Sequence, residues 1–132
     1  MPEFERRDYI RYSVNGTVNI KIEGDMPNIF KADLLDVSFL GLSVYLKERI
    51  EIGAIVQFEL TTELMRRPLI GKGKIKHIKE VKRYDSSGFR TGIEFIDIDK
   101  RSILDFLNKI QGKIAAEIKR MWQTRKSDFG LL

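Results

Sequence analysis

Residues 91–110 read TGIEFIDIDKRSILDFLNKI, and the pattern of apolar positions changes inside this stretch, at Asp99. Before the change, FRTGIEFIDI (residues 89–98) reads as a strand. After it, Ile103, Phe106, Leu107, Ile110, Ile114, Ile118 and Met121 follow the i, i+3, i+4, i+7 spacing of one helix face, with Asp97 or Asp99 available as N-cap. A helix from Lys100 to about Thr124 would be about 37 Å long at 1.5 Å per residue, more than a small β-domain covers. The spacing therefore predicts that Ile103 to Ile110 lie on the body of the domain while Ile118, Met121 and Trp122 reach past it. Gly112, a weak helix residue, would mark a bend between the two parts. The alternative is that the distal turns fold back onto the same core or fray.

Upstream, YSVNGTVNIKIEGD (residues 12–25) places Val18, Ile20 and Ile22 at period two and stops at the turn signal Gly24-Asp25-Met26-Pro27. IFKADLLDVS (29–38) and GLSVYL (41–46) read as the next two strands, broken by the polar and glycine-bearing DVSFLG. AIVQFELTT is a fourth strand, closed by Met65-Arg66-Arg67-Pro68. LIGKGKIKHIKEV is a fifth, running to a turn at Asp85-Ser86-Ser87-Gly88. With FRTGIEFIDI this makes six short strands, the pattern of a small antiparallel barrel or sandwich; closure as a barrel removes the edges that invite aggregation. The fold class expected is mainly β with a long C-terminal helix. The organisation is an arginine-rich arm at 1–12, a barrel at 13–98, an amphipathic helix at 99–126 and a tail at 127–132. Lys72, Lys74 and Lys76 alternate with Gly71, Gly73 and Ile75, which makes them the wet face of a strand.

A length of 132 residues fits one core and leaves no room for a separate catalytic domain. No apolar run approaches the roughly 20 residues that span a bilayer, and MPEFERRD lacks the apolar region of a secretory signal. A cytoplasmic protein without membrane insertion is expected. The absence of cysteine excludes disulfides and thiolate metal sites. The single histidine, His77, leaves no imidazole pair for a metal and no Ser/His relay; in its lysine-rich stretch it reads as a solvated side chain. Carboxylates are plentiful, but no nucleophile and base are marked out as a pair and no P-loop glycine run appears, so no enzyme and no cofactor are implied. The net charge of +5 is placed unevenly: residues 100–126 carry eight Lys/Arg against Asp105 and Glu117, and the rest of the chain is almost neutral. A general nucleic-acid binder more often spreads basic charge over a continuous face.

Two short stretches bear on binding. ERRDYIRY (residues 5–12) gathers three arginines, with Arg7 and Arg11 four positions apart; read alone, it is a solvated arm or a loose anion contact. DVSFLG (36–41) spaces Asp36, Ser38 and Gly41 as D-x-S-x-x-G. It offers a carboxylate that can accept from a guanine's ring N–H and amino group, a hydroxyl that can donate to a phosphate or carbonyl, and a glycine that permits close backbone approach. Read alone, it is also what ordinary turn chemistry selects.

Together these stretches resemble the PilZ domain family, bacterial receptors for cyclic di-GMP. Arg7 to Arg11 match its R-x-x-x-R motif just before the first strand, and Asp36 to Gly41 match its [D/N]-x-S-x-x-G motif between strands two and three. TGIEFIDI is similar to the family's late G-x-x-F strand, which a C-terminal helix follows. The resemblance runs from about Glu5 to Ile110. It implies a six-stranded antiparallel barrel with cyclic di-GMP held between the arm and the D-x-S-x-x-G turn by Arg7, Arg11, Asp36, Ser38 and Gly41. Arginine suits such a ligand because its fork can bond a phosphate or the guanine O6/N7 edge and its flat face can stack on a base. Ordering the arm would then be part of the binding free energy. Asp36 would select guanine, and Ser38 would fix the turn or a phosphate. Arg6, just before the motif, looks like the residue type that favours an intercalated ligand dimer.

The function expected is a stand-alone cyclic di-GMP receptor that changes conformation and signals to a protein partner. The alternatives are a PilZ-like adaptor that binds no ligand, and a small basic barrel that binds nucleic acid through Lys72, Lys74, Lys76 and the helix. Ile118, Met121 and Trp122, framed by Lys113, Lys119, Arg120 and Arg125, make an apolar patch with a basic rim, suited to an acidic protein partner or to a homodimer through the C-terminal helix.

Overall fold

A computed structural model describes residues 10–25 and 28–128, the side chains of 124–128 excepted. Its elements are β1 (Tyr12–Ser13), β2 (Thr17–Ile22), β3 (Phe30–Val37), β4 (Gly41–Leu46), β5 (Ile55–Thr61), β6 (Leu69–Arg83), β7 (Ser86–Ile98) and α1 (Lys100–Asp128). Strands β3, β2, β5, β6, β7 and β4 pair in that order, all antiparallel, and β4 pairs back onto β3. The six-stranded barrel is therefore closed, as expected. One strand is additional: the two residues of β1 lie outside the ring and pair with the end of β3.

Alternation along each strand puts Val18, Ile20, Leu34, Val44, Phe58, Leu60, Ile75 and Ile93 inside. Ile103, Phe106, Leu107 and Ile110 of α1 join the same buried cluster, so the proximal helix completes the core. Asp99, not Asp97, begins the helix. The Ser102 hydroxyl donates to its carboxylate at 2.7 Å, and Ile103 N–H donates to its backbone carbonyl at 3.1 Å. The Ser102 bond, followed by N–H groups of the first turn, holds the Asp99 carboxyl below its ordinary pKa.

Two local expectations change. The helix is one continuous element of 29 residues through Gly112, ending at Asp128 rather than 126, because a single glycine lowers propensity without interrupting the ladder. The β6–β7 turn is also tighter than expected: β7 starts at Ser86, and Tyr84 and Asp85 make the connection with Tyr84 at φ 59°. Gly88 lies within β7, where a Cβ would overlap the Tyr45 ring. Its lack of a side chain serves packing, not the turn.

Candidate functional site

Asp36 reaches the outside of the barrel because of a bulge. Leu34 pairs with Val44 and Asp36 with Ser43, so β3 carries one extra residue between them. Without it, strict alternation would put Asp36 inside and Val37 outside; with it, Val37 is fully buried in the core and Asp36 lies on the outer face. Ser43 and Tyr45 share that face of β4. Both are buried, although on the outside, because long cationic side chains cover them: Arg11 lies over Ser43, and the Arg83 guanidinium sits 5.1 Å from the Tyr45 ring centroid. Arg83 also donates to Asp33 at 3.0 Å.

The centre of the arrangement is the carboxylate of Asp36, whose side chain is only 11% exposed. Arg11 Nε donates to its Oδ1 at 2.8 Å, and Arg90 Nη2 donates to its Oδ2 at 2.8 Å. Arg11 Nη2 donates in addition to Ser43 Oγ at 3.0 Å. Each oxygen thus grips a different arginine, while the two arginine side chains are 47% and 50% exposed. Two cations are anchored on one carboxylate while their side chains stay about half exposed, an arrangement suited to a planar, anionic ligand.

Ser38 and Gly41 build the support. Ser38 is buried; its N–H donates to the Gly41 carbonyl at 2.8 Å, and its hydroxyl accepts from Leu40 N–H at 3.2 Å. The hydroxyl therefore ties the turn. A Cβ on Gly41 would overlap the Ile93 carbonyl oxygen, so glycine lets β4 lie close against β7. Arg6 and Arg7 lie outside the described residues. Arg90 was not among the residues expected from sequence. Its signal there was an ordinary charged position on the wet face of a strand; the β4–β7 register, which sets Arg90 opposite Tyr45, is what brings it to Asp36.

Two of the lysines along β6 lie against carboxylates. Lys72 pairs with Glu23 at 2.9 Å and Lys76 approaches Glu94 at 4.0 Å. The Glu23 hydrogen bond and charge raise the Lys72 pKa. Among the described residues, no group of three or more His, Asp or Glu side chains is placed to hold a metal ion, and no helix is long and apolar enough to cross a membrane.

A family model described as "PilZ domain" matches residues 5–112. The chain belongs to the PilZ domain family. That match includes both motifs, the whole barrel and the part of α1 that seals it. Among solved structures, the PilZ domain of YcgR from Escherichia coli, solved with c-di-GMP, superposes with a TM-score of 0.70 at 16% identity, covering 86% of this chain and 98% of that one. YcgR in complex with c-di-GMP gives 0.72 at 16% identity over 88% of this chain and 50% of that one. MrkH of K. pneumonia in its apo state gives 0.68 at 14% identity over 82% and 51%. The chain thus spans about half the length of these last two PilZ proteins, and the likeness is one of fold. No curated protein matches by sequence.

Proposed function

We propose that this PilZ domain is a receptor for cyclic di-GMP that acts by binding, without catalysis, and passes a change of shape to a protein partner. The observation that carries this is the grip of one nearly buried carboxylate, Asp36, on two half-exposed arginines, Arg11 and Arg90, beside the D-x-S-x-x-G turn. Both Asp36 oxygens accept from arginine. Binding is then an exchange: an arginine leaves the carboxylate for a phosphate or a guanine O6/N7 edge, and the freed carboxylate accepts the guanine ring N–H and amino group. The R-x-x-x-R motif adds Arg7 to the proposed ligand contacts, and Arg6 before it adds the cation that favours a stacked ligand pair.

The exchange has a direct route to the helix. Arg11 precedes Tyr12, whose hydroxyl accepts from Gln111 Nε2 of α1 at 2.7 Å. Beyond that link, the apolar stripe of α1 leaves the barrel: Ile114 and Ile118 are exposed, and Met121 and Trp122 are 70% and 63% exposed. Lys113, Lys119 and Arg120 border them. This end of α1 is the output surface, and its basic border fits a partner with an acidic surface around an apolar groove.

Titration of Arg11→Ala and Arg90→Ala with cyclic di-GMP tests the site. Each substitution removes charge-assisted contacts worth about 1.5–3 kcal/mol, roughly a 10- to 150-fold loss of affinity. Undiminished affinity in both variants would defeat the assignment.

A further inference from the structure

Asp36 belongs to a row of outward-facing positions that crosses four strands. Asp36 of β3 is opposite Ser43 of β4, Ser43 is opposite Gly92 of β7, and Gly92 is opposite His77 of β6. Directly opposed residues share a face of the sheet. Both ends of this row are set by bulges: the one in β3 that turns Asp36 outward, and a second in β6 between Ile75 and His77. Ile75 is wholly buried; alternation alone would have put His77 inside with it, and the extra residue, Lys76, brings His77 to the surface instead.

Between Ser43 and His77 the row has no side chain. A Cβ on Gly92 would lie 3.4 Å from both Cβ and Cδ2 of His77, so the imidazole rests beside bare backbone. Adjacent strands are about 4.8 Å apart, which puts His77 about 10 Å from Ser43 and the Arg11 guanidinium above it. A cyclic dinucleotide anchored at Arg11 and Asp36 is long enough to lie over Gly92 and reach the imidazole. Glycine in a strand interior is where such close approach to backbone is possible.

We propose that His77 is a second contact for the ligand and makes its affinity depend on protons; this role rests on the receptor reading above. The charged groups beside it on the paired strands are Lys76 and Lys79 on β6 and Arg90 and Glu94 on β7. Lys76 faces Glu94 and Arg90 is held by Asp36, so the free surface is partly neutralised. The bound ligand brings two phosphate charges. An imidazolium beside them gains attraction and a second N–H donor, which the neutral ring lacks. Binding therefore favours the protonated ring. Affinity is greatest at the acid side of the histidine range and declines as pH rises through it.

The test is calorimetric titration with cyclic di-GMP at about pH 5.5 and about pH 8, bracketing the range in which histidine changes charge, in buffers of different ionisation enthalpy. The expected result is binding about two- to fivefold tighter at the lower pH, the size of one solvent-screened charge contact, with proton uptake at intermediate pH. His77→Asn should keep guanine-selective binding but lose both the pH dependence and the proton uptake. Because His77 is exposed, the variant should melt with the wild type. Binding by the wild type that is indifferent to pH, or pH dependence that survives in His77→Asn, overturns this role and leaves the receptor standing. No binding by the wild type at either pH overturns the receptor reading and this role with it.

Discussion

Replacing Asp36 by Asn removes the charge that holds Arg11 and Arg90 while keeping the shape of the side chain. The amide still offers one oxygen, so one arginine keeps an acceptor, but the other faces an NH2 group, donor against donor. An exposed ion pair is worth about 0.2–1 kcal/mol, and burial of the carboxylate against half-exposed arginines puts each contact near the top of that range. The loss should total about 1–2 kcal/mol, a fall in Tm of about 3–8 °C for a domain of this size. Thermal unfolding of Asp36→Asn, Arg90→Gln and the double variant isolates the pair, with a coupling of about 1 kcal/mol expected. A coupling within the scatter of independent sites, about 0.3 kcal/mol, would refute the idea that Asp36 anchors Arg90.

Three further outcomes follow from the same geometry. Gly41→Ala should destabilise the fold by about 1–3 kcal/mol in denaturant unfolding, because the added methyl meets the Ile93 carbonyl and the backbone must shift. The Asp99 cap should be pH-sensitive. Its folded pKa is depressed, so its contribution is complete above the ordinary carboxylate value and is lost as pH falls through the folded one. Protection of the first-turn amides of α1, taken relative to their intrinsic exchange rate at each pH, should therefore fall under acid in the wild type and show no such transition in Asp99→Asn. Met121→Ala with Trp122→Ala should leave Tm within the small range of exposed substitutions and preserve ligand affinity while abolishing partner binding; loss of fold would instead make the distal helix part of the core.

Much of this fold was legible because its signals are local. Period two in TVNIKI, turn residues at Gly24 and Pro68, and the 3.6 period after Asp99 each report backbone geometry over a few residues, and the strands and helix fall where these signals put them. The exposure of Ile118, Met121 and Trp122 also followed from helix length against barrel size. Arg11 and Asp36, 25 positions apart, do meet. What escaped was non-local. The bulges in KADLLDVS and KIKHIKEV have no residue-type signature, yet they decide that Asp36 and His77 face outward. Arg90 joins the site through register between strands distant in sequence, and Gly88 looked like a turn residue because its partner, Tyr45, lies on another strand. The same separation made His77 look like one more solvated side chain among lysines.

Isothermal titration of the wild-type protein with cyclic di-GMP, with GTP and cyclic di-AMP as controls, decides whether this PilZ domain is a receptor. Saturable, guanine-selective binding of the cyclic dinucleotide is expected, with its stoichiometry reporting whether Arg6 supports a ligand pair. No heat of binding, together with no thermal stabilisation by cyclic di-GMP, would contradict the receptor and leave a PilZ-fold adaptor whose Asp36 cluster serves structure alone.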